Sequence, residues 1–116
     1  MAIPHAKPTE VVDIRPLGAD VQRMQTTTLI KTDMLEVIRL VLPAGKEIPP
    51  HSVPGEITVQ CLEGKIVFGT EEGDRELSAG NLLYLRGAGE HSVRAVEDSS
   101  VLVTILLKTH TWENNP

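Results

Sequence analysis

The sequence predicts an all-β domain, a sandwich or a barrel, on three observations. Apolar and polar residues alternate through Ile57-Thr58-Val59-Gln60-Cys61, the period of a strand that buries one face. Two segments, 26–42 and 99–108, are dense in β-branched and aliphatic residues. Gly and Pro, 9 and 8 of 116 residues, punctuate these runs, and no long helical period appears between them. The spacing of the punctuation predicts about nine or ten short strands in one domain.

Residues 1–25 read as an N-terminal arm, partly extended. Pro4, Pro8 and Pro16 remove backbone donors, and Val11, Val12 and Ile14 mark one short strand at 11–14. Leu17, Val21 and Met24 give 17–25 only a weak helical pattern, a single turn or a loop. His5 reads as an exposed residue of this arm. The barrel itself is expected over 26–108.

Strands are expected at 26–31 and 34–42, joined by a turn at Lys31-Thr32-Asp33. The second is apolar on both faces, with Met34, Ile38, Leu40 and Leu42 on one and Leu35, Val37 and Val41 on the other. A strand of that kind needs cover on both sides. Segment 99–108 repeats the pattern, Val101, Val103, Ile105 and Leu107 against Leu102 and Leu106. Leu35, Val37, Leu102 and Leu106 would then form an exposed apolar patch, and a homodimer is the expected cover.

Between these strands lies Gly45–Gly64, a Pro- and Gly-rich turn that passes through His51 and turns again at Pro54-Gly55 before the alternating strand. Lys65–Thr70 is a strand, 71–74 a hairpin turn, 75–78 the return, 79–81 a turn and 82–85 a further strand. Gly87-Ala88-Gly89 is a loop whose glycines permit positive backbone angles. His91 follows, on the same face as Val93 and Ala95, so it points inward. Residues 109–116, polar apart from Trp112, form a C-terminal tail that is frayed or packed on a neighbour.

The formal charge of −5 and the absence of a Lys/Arg cluster exclude a nucleic-acid partner. One cysteine excludes an intrachain disulfide framework, and no apolar run reaches membrane-spanning length, so no membrane partner is expected. MAIPHAKPTE lacks the apolar core of a secretion signal, which makes a cytoplasmic location the expectation. Phosphate loops, nucleophile elbows and paired-Cys zinc motifs are missing.

Two stretches carry a family resemblance. Gly45, His51 and Gly64 stand at the spacing G-x5-H-x-H, three or four residues, E, six residues, G, and GNLLYLRGAGEHSVRA, with Gly80 and His91, resembles G-x5-P-x-G-x2-H-x3-N. Together they resemble the cupin superfamily, over roughly residues 36–107, as a small single-domain member. The resemblance implies a double-stranded β-helix, or jelly-roll barrel. It also implies a metal held by two His and one Glu of the first motif and the His of the second. Here the second His position is Val53 and the Glu position is Ile57, so only His51 and His91 remain and the motif is degenerate. Arg86, Ala88 and Ala95 replace the Pro, Gly and Asn of the second motif.

The expected pocket is therefore His51, Val53, Ile57, Val59, Cys61 and His91. No cofactor is expected; two imidazoles would hold Zn, Ni, Cu or Fe only weakly, and catalytic residues are unknown. Glu56 falls on the opposite strand face, and only a bulge near Pro54-Gly55 would bring it inside; Gln60 has the same parity. Cys61 reads as a buried small hydrophobe. Arg94 shares its face with Ser92 and Glu90, away from His91, while Arg86 precedes the His91 loop. The main reading is a small-molecule-binding cupin of undefined activity. The alternative is a metal-dependent enzyme, an oxygenase or isomerase, using His51 and His91.

Overall fold

The computed structural model describes residues 5–107; the tail expected at 109–116, with His110 and Trp112, lies outside them, as do the first four residues of the arm. Nine strands follow one another: β1 Thr27–Lys31, β2 Leu35–Leu42, β3 Glu47–His51, β4 Ile57–Glu63, β5 Lys65–Thr70, β6 Gly73–Ser78, β7 Leu82–Leu85, β8 His91–Ala95 and β9 Ser99–Leu106. They form two antiparallel sheets, five strands in the order β1-β2-β9-β4-β7 and four in the order β3-β8-β5-β6. The two sheets face each other as a jelly roll. Their inner faces meet in one core that includes Leu42, Val59, Ile66, Phe68, Leu77 and Val101.

Strand β3 runs where the sequence reads as a turn. Pro49 and Pro50 cannot donate to a ladder, but β3 is an edge strand, paired only with β8, so half of its donors are not needed. Between β4 and β5 the chain turns on Gly64 alone, at φ +81°, and a Cβ there would lie 2.2 Å from the Asp98 carbonyl oxygen. Only glycine fits that turn.

Part of the outer face of β2 is covered within the chain. The arm touches it at Arg39, whose Nη2 donates to Arg15 O at 2.7 Å, and runs along neighbouring β1, where Ala6 N donates to Leu29 O at 2.8 Å. Glu63 holds the middle of the arm, its carboxylate accepting from Leu17 N at 2.7 Å, from Gly18 N at 2.9 Å and from the Ser100 hydroxyl. Val37 and Val41 are accordingly buried within the single chain. This corrects the expectation that Val37 awaits another subunit. The arm has no strand at 11–14, where Val11 is exposed; its one regular element is a 3-10 helix, Gly18–Gln22, which buries Val21.

Candidate functional site

The site begins with a bulge. Ile48 pairs with Val93 and His51 with His91, so three steps along β3 match two along β8, with the irregularity at Pro49-Pro50. Strand parity alone would send Ile48 and His51 to opposite faces. The extra residue restores His51 to the inner face, beside His91. The two imidazole centroids are 4.3 Å apart at an interplanar angle of 63°, an edge-to-face contact.

His91 is fixed on three sides. Its Nδ1–H donates to Gly89 O at 3.0 Å, its ring stacks on Phe68 at 5.4 Å and 12°, and its edge meets His51. It is buried, whereas His51 is exposed at the mouth, its Nδ1–H donating to Pro49 O at 3.1 Å. Burial pushes the His91 imidazole below its usual range, and the neighbouring His51 adds to that; the Gly89 carbonyl works the other way and does not prevail.

Below the two rings a cavity of about 260 Å³ opens toward the mouth. Its wall is aliphatic: Ile38 and Leu40 from β2, Val103 and Ile105 from β9, Ile57 and Val59 from β4, with Ile48, Val53, Phe68 and Val93 closing the other side. Five of the six residues expected from the sequence, His51, Val53, Ile57, Val59 and His91, lie on this wall. Cys61 does not. It is two residues further along β4 than Val59, roughly 7 Å deeper, fully buried in the core. Its thiol donates to Glu63 O at 3.4 Å, and burial pushes it up, away from thiolate character. The walls supplied by β2 and β9 went unassigned, although the inward parity of Ile38, Leu40, Val103 and Ile105 was visible in the sequence.

Glu56 stays outside, where its Oε1 accepts from the Tyr84 hydroxyl at 2.5 Å, a bond that pushes the phenol up. The bulge that mattered lies at Pro49-Pro50, not near Pro54-Gly55, and it serves His51. Gln60, on the same face of β4 as Thr58, also points away from the cavity. Arg94 is exposed on β8, and Arg86 lines a shallower cleft of about 650 Å³ between β6 and β7, where Arg75, Glu71, Glu72 and Glu90 mix both charges.

The donors present do not fit the metal that the fold family implies. Among the described residues no three His, Cys, Asp or Glu side chains come together as a metal would need. Val53 and Ile57 occupy the cavity wall with hydrocarbon, and Glu56 and Cys61 are directed elsewhere. Two imidazoles alone leave a coordination shell incomplete.

Neither a family model nor a curated protein matches the sequence. Solved structures do match. An RmlC-like cupin protein from Desulfovibrio desulfuricans is 28% identical, covering 88% of this chain and 97% of that one, with a TM-score of 0.67. A cupin superfamily protein from Desulfitobacterium hafniense reaches a TM-score of 0.74 at 15% identity, covering 89% of this chain and all of the other. The fold is that of a small single-domain cupin. Another neighbour, a predicted oxalate decarboxylase from Thermotoga maritima, is 23% identical with a TM-score of 0.64, covering 72% of this chain and 79% of its own. At that identity the likeness extends to the fold alone. Among the described residues no helix is long and apolar enough to cross a membrane.

Proposed function

We propose that this cupin binds a small, mainly apolar molecule in the mouth of its barrel, with His51 and His91 fixing the polar end. The observation that carries the reading is the cavity: about 260 Å³ of aliphatic wall with two imidazoles as its polar groups, one buried and held by three contacts. Pockets built this way, apolar with a few placed polar atoms, bind small organic ligands. A transition metal on His51 and His91 would be weak and substoichiometric, and no metal-dependent step is assigned. Saturation-transfer NMR with p-cresol, toluene and 3-methylbutanol tests the reading. Binding is expected for at least one of them, and an Ile38→Trp variant, which fills the cavity from a partly buried wall position, should abolish it while remaining folded. Equal binding to the filled variant would move the site elsewhere.

A cytoplasmic homodimer is part of the same proposal. With part of β2 covered, the support for it shifts to β7, which is a sheet edge with Leu82 67% and Tyr84 60% exposed. Light scattering should give twice the 12.7 kDa chain mass, and a Leu82→Lys change should return it toward the monomer.

A further inference from the structure

The two imidazoles are keyed by the backbone in the same way, and this restricts what the cavity can accept. A carbonyl oxygen has lone pairs and no proton, so a ring nitrogen within 3.0–3.1 Å of one must carry the hydrogen. Nδ1 of His51 faces Pro49 O and Nδ1 of His91 faces Gly89 O, in each case the carbonyl two residues back. In the neutral ring the second nitrogen, Nε2, is then a bare acceptor. Neither Nε2 has a hydrogen-bond partner among the described residues. The Nε2 of His91 is nevertheless not sealed off, since Arg39 Nε is the one buried side-chain nitrogen or oxygen without a partner among those residues. The open space beside the His91 ring is the cavity itself.

We infer that the cavity selects an uncharged ligand that donates a hydrogen bond, a hydroxyl or N–H group on a single substituted ring or a short branched chain, to the paired Nε2 atoms of His51 and His91. The inference rests on the proposed ligand-binding role of this site. A carboxylate offers only lone pairs and would meet two more. Protonating buried His91 to receive it would place a cation against an apolar wall, beside a second ring 4.3 Å away. Size points the same way: an apolar cavity of about 150 Å³ holds benzene, and 260 Å³ leaves room for one ring with small substituents. A donor that reached only one Nε2 would leave the other for a water at the mouth, so a hydroxyl, which donates once and accepts once, suits the pair.

Three probes of nearly equal shape separate the possibilities: p-cresol donates, p-xylene does neither, and 4-methylbenzaldehyde only accepts. Binding to the full chain is measured by titration calorimetry with EDTA present, and the tautomers are read from long-range ¹H–¹⁵N spectra of the imidazoles. p-Cresol is expected to bind on the order of tenfold more tightly than either of the others, with Nε2 unprotonated in both rings of the free protein. A His91→Phe variant, which keeps a ring to stack on Phe68, should bring p-cresol down to the level of p-xylene. Binding of 4-methylbenzaldehyde as tight as p-cresol, or a proton on Nε2, would overturn the inference and leave the binding role standing. If none of the three binds, the binding role fails and the inference falls with it.

Discussion

Writing into the barrel the two ligands that the cupin motif implies tests the geometry most directly. In the double variant Val53→His, Ile57→Glu, both new side chains start from positions on the cavity wall that also carries His51 and His91. Ile57 is 3% exposed, so its replacement removes an aliphatic side chain, worth about 2–5 kcal/mol, and leaves a carboxyl in an apolar wall. With the smaller cost at half-buried Val53, the metal-free variant should be less stable by about 4 kcal/mol. That is a large part of the roughly 5–15 kcal/mol available to a domain of this kind, and it lowers Tm by about 20 °C.

Zinc should reverse most of the loss, because a four-donor set binds the folded state alone. Free zinc at a hundred times Kd returns about 2.7 kcal/mol, and at a thousand times about 4.1 kcal/mol. The assay is thermal unfolding in EDTA and in zinc, with metal content by mass spectrometry. The variant should carry close to one zinc per chain and show a large zinc-dependent shift; the parent should carry well under one and show little. If the variant unfolds at the same temperature in EDTA and in zinc, then residues 53 and 57 do not converge on the histidine pair, and the geometry assigned to this wall is wrong.

Three further outcomes are expected. Glu63→Ala should cost about 2–4 kcal/mol by urea unfolding, since it removes charge-assisted bonds from two backbone N–H groups and a hydroxyl, and trypsin should then cut the arm at Arg15 or Arg23 before the barrel. Burial works to raise the Glu63 carboxyl, but bonds from Leu17, Ser100 and Gly18 together with Arg39 hold it below its ordinary value; its stabilisation is therefore present above pH about 4.5 and lost as pH falls through the folded value, a limb that Glu63→Ala should lack. The lowered His91 imidazole acts near neutrality: the unfolded chain takes up its proton first, so stability should decline as pH falls below about 6.5, and His91→Phe should flatten that limb. Ala88→Gly should stabilise the chain by about 0.5 kcal/mol in urea, because Ala88 sits at φ +67°, where a Cβ costs about 1–2 kcal/mol, partly offset by the greater freedom of glycine when unfolded.

What could be read from the sequence divides along a physical line. Alternation within one strand is local, so the inward set Ile57, Val59 and Cys61 and the outward Glu56 and Gln60 follow from parity, and strands β5 and β7 fall at their expected bounds. Facts set by pairing between distant segments were less legible. Pro49-Pro50 reads as a turn until the partner strand is known, and the bulge it forms decides where His51 points. The glycines of 87–89 suggested positive backbone angles, yet Ala88 takes the left-handed conformation, while Gly87 is needed because a Cβ there would approach Pro54 O to 2.2 Å. The arm, with almost no periodicity of its own, is held by hydrogen bonds to Arg39 and Glu63 and by the burial of Val21, all set by distant segments. Cys61 shares a face with the cavity residues but not their depth, and strand parity says nothing about depth.

The shape of the barrel mouth is itself informative. The chain has one Phe, one Trp and one Tyr. Its Phe68 stacks on His91, and its Tyr84 lies outside against Glu56. The inner rows near the mouth, Ile38 opposite Val103 opposite Val59, and Ile57 opposite Ile105, are built from β-branched side chains too short to meet across the barrel. At the opposite end Leu42, Ile66, Leu77 and Val101 pack without such a gap. A void of this size, sealed and dry, would cost about 6 kcal/mol at 24 cal/mol per Å³. That is comparable to the whole stability of a small domain, so the cavity must stay open to water or to a ligand, and exposed His51 stands at that opening. Larger side chains at Ile38 or Val103 would close it by ordinary aliphatic packing. Instead the one described inward aromatic ring, Phe68, both fills the core and stacks on an imidazole, the arrangement that the proposed binding role calls for.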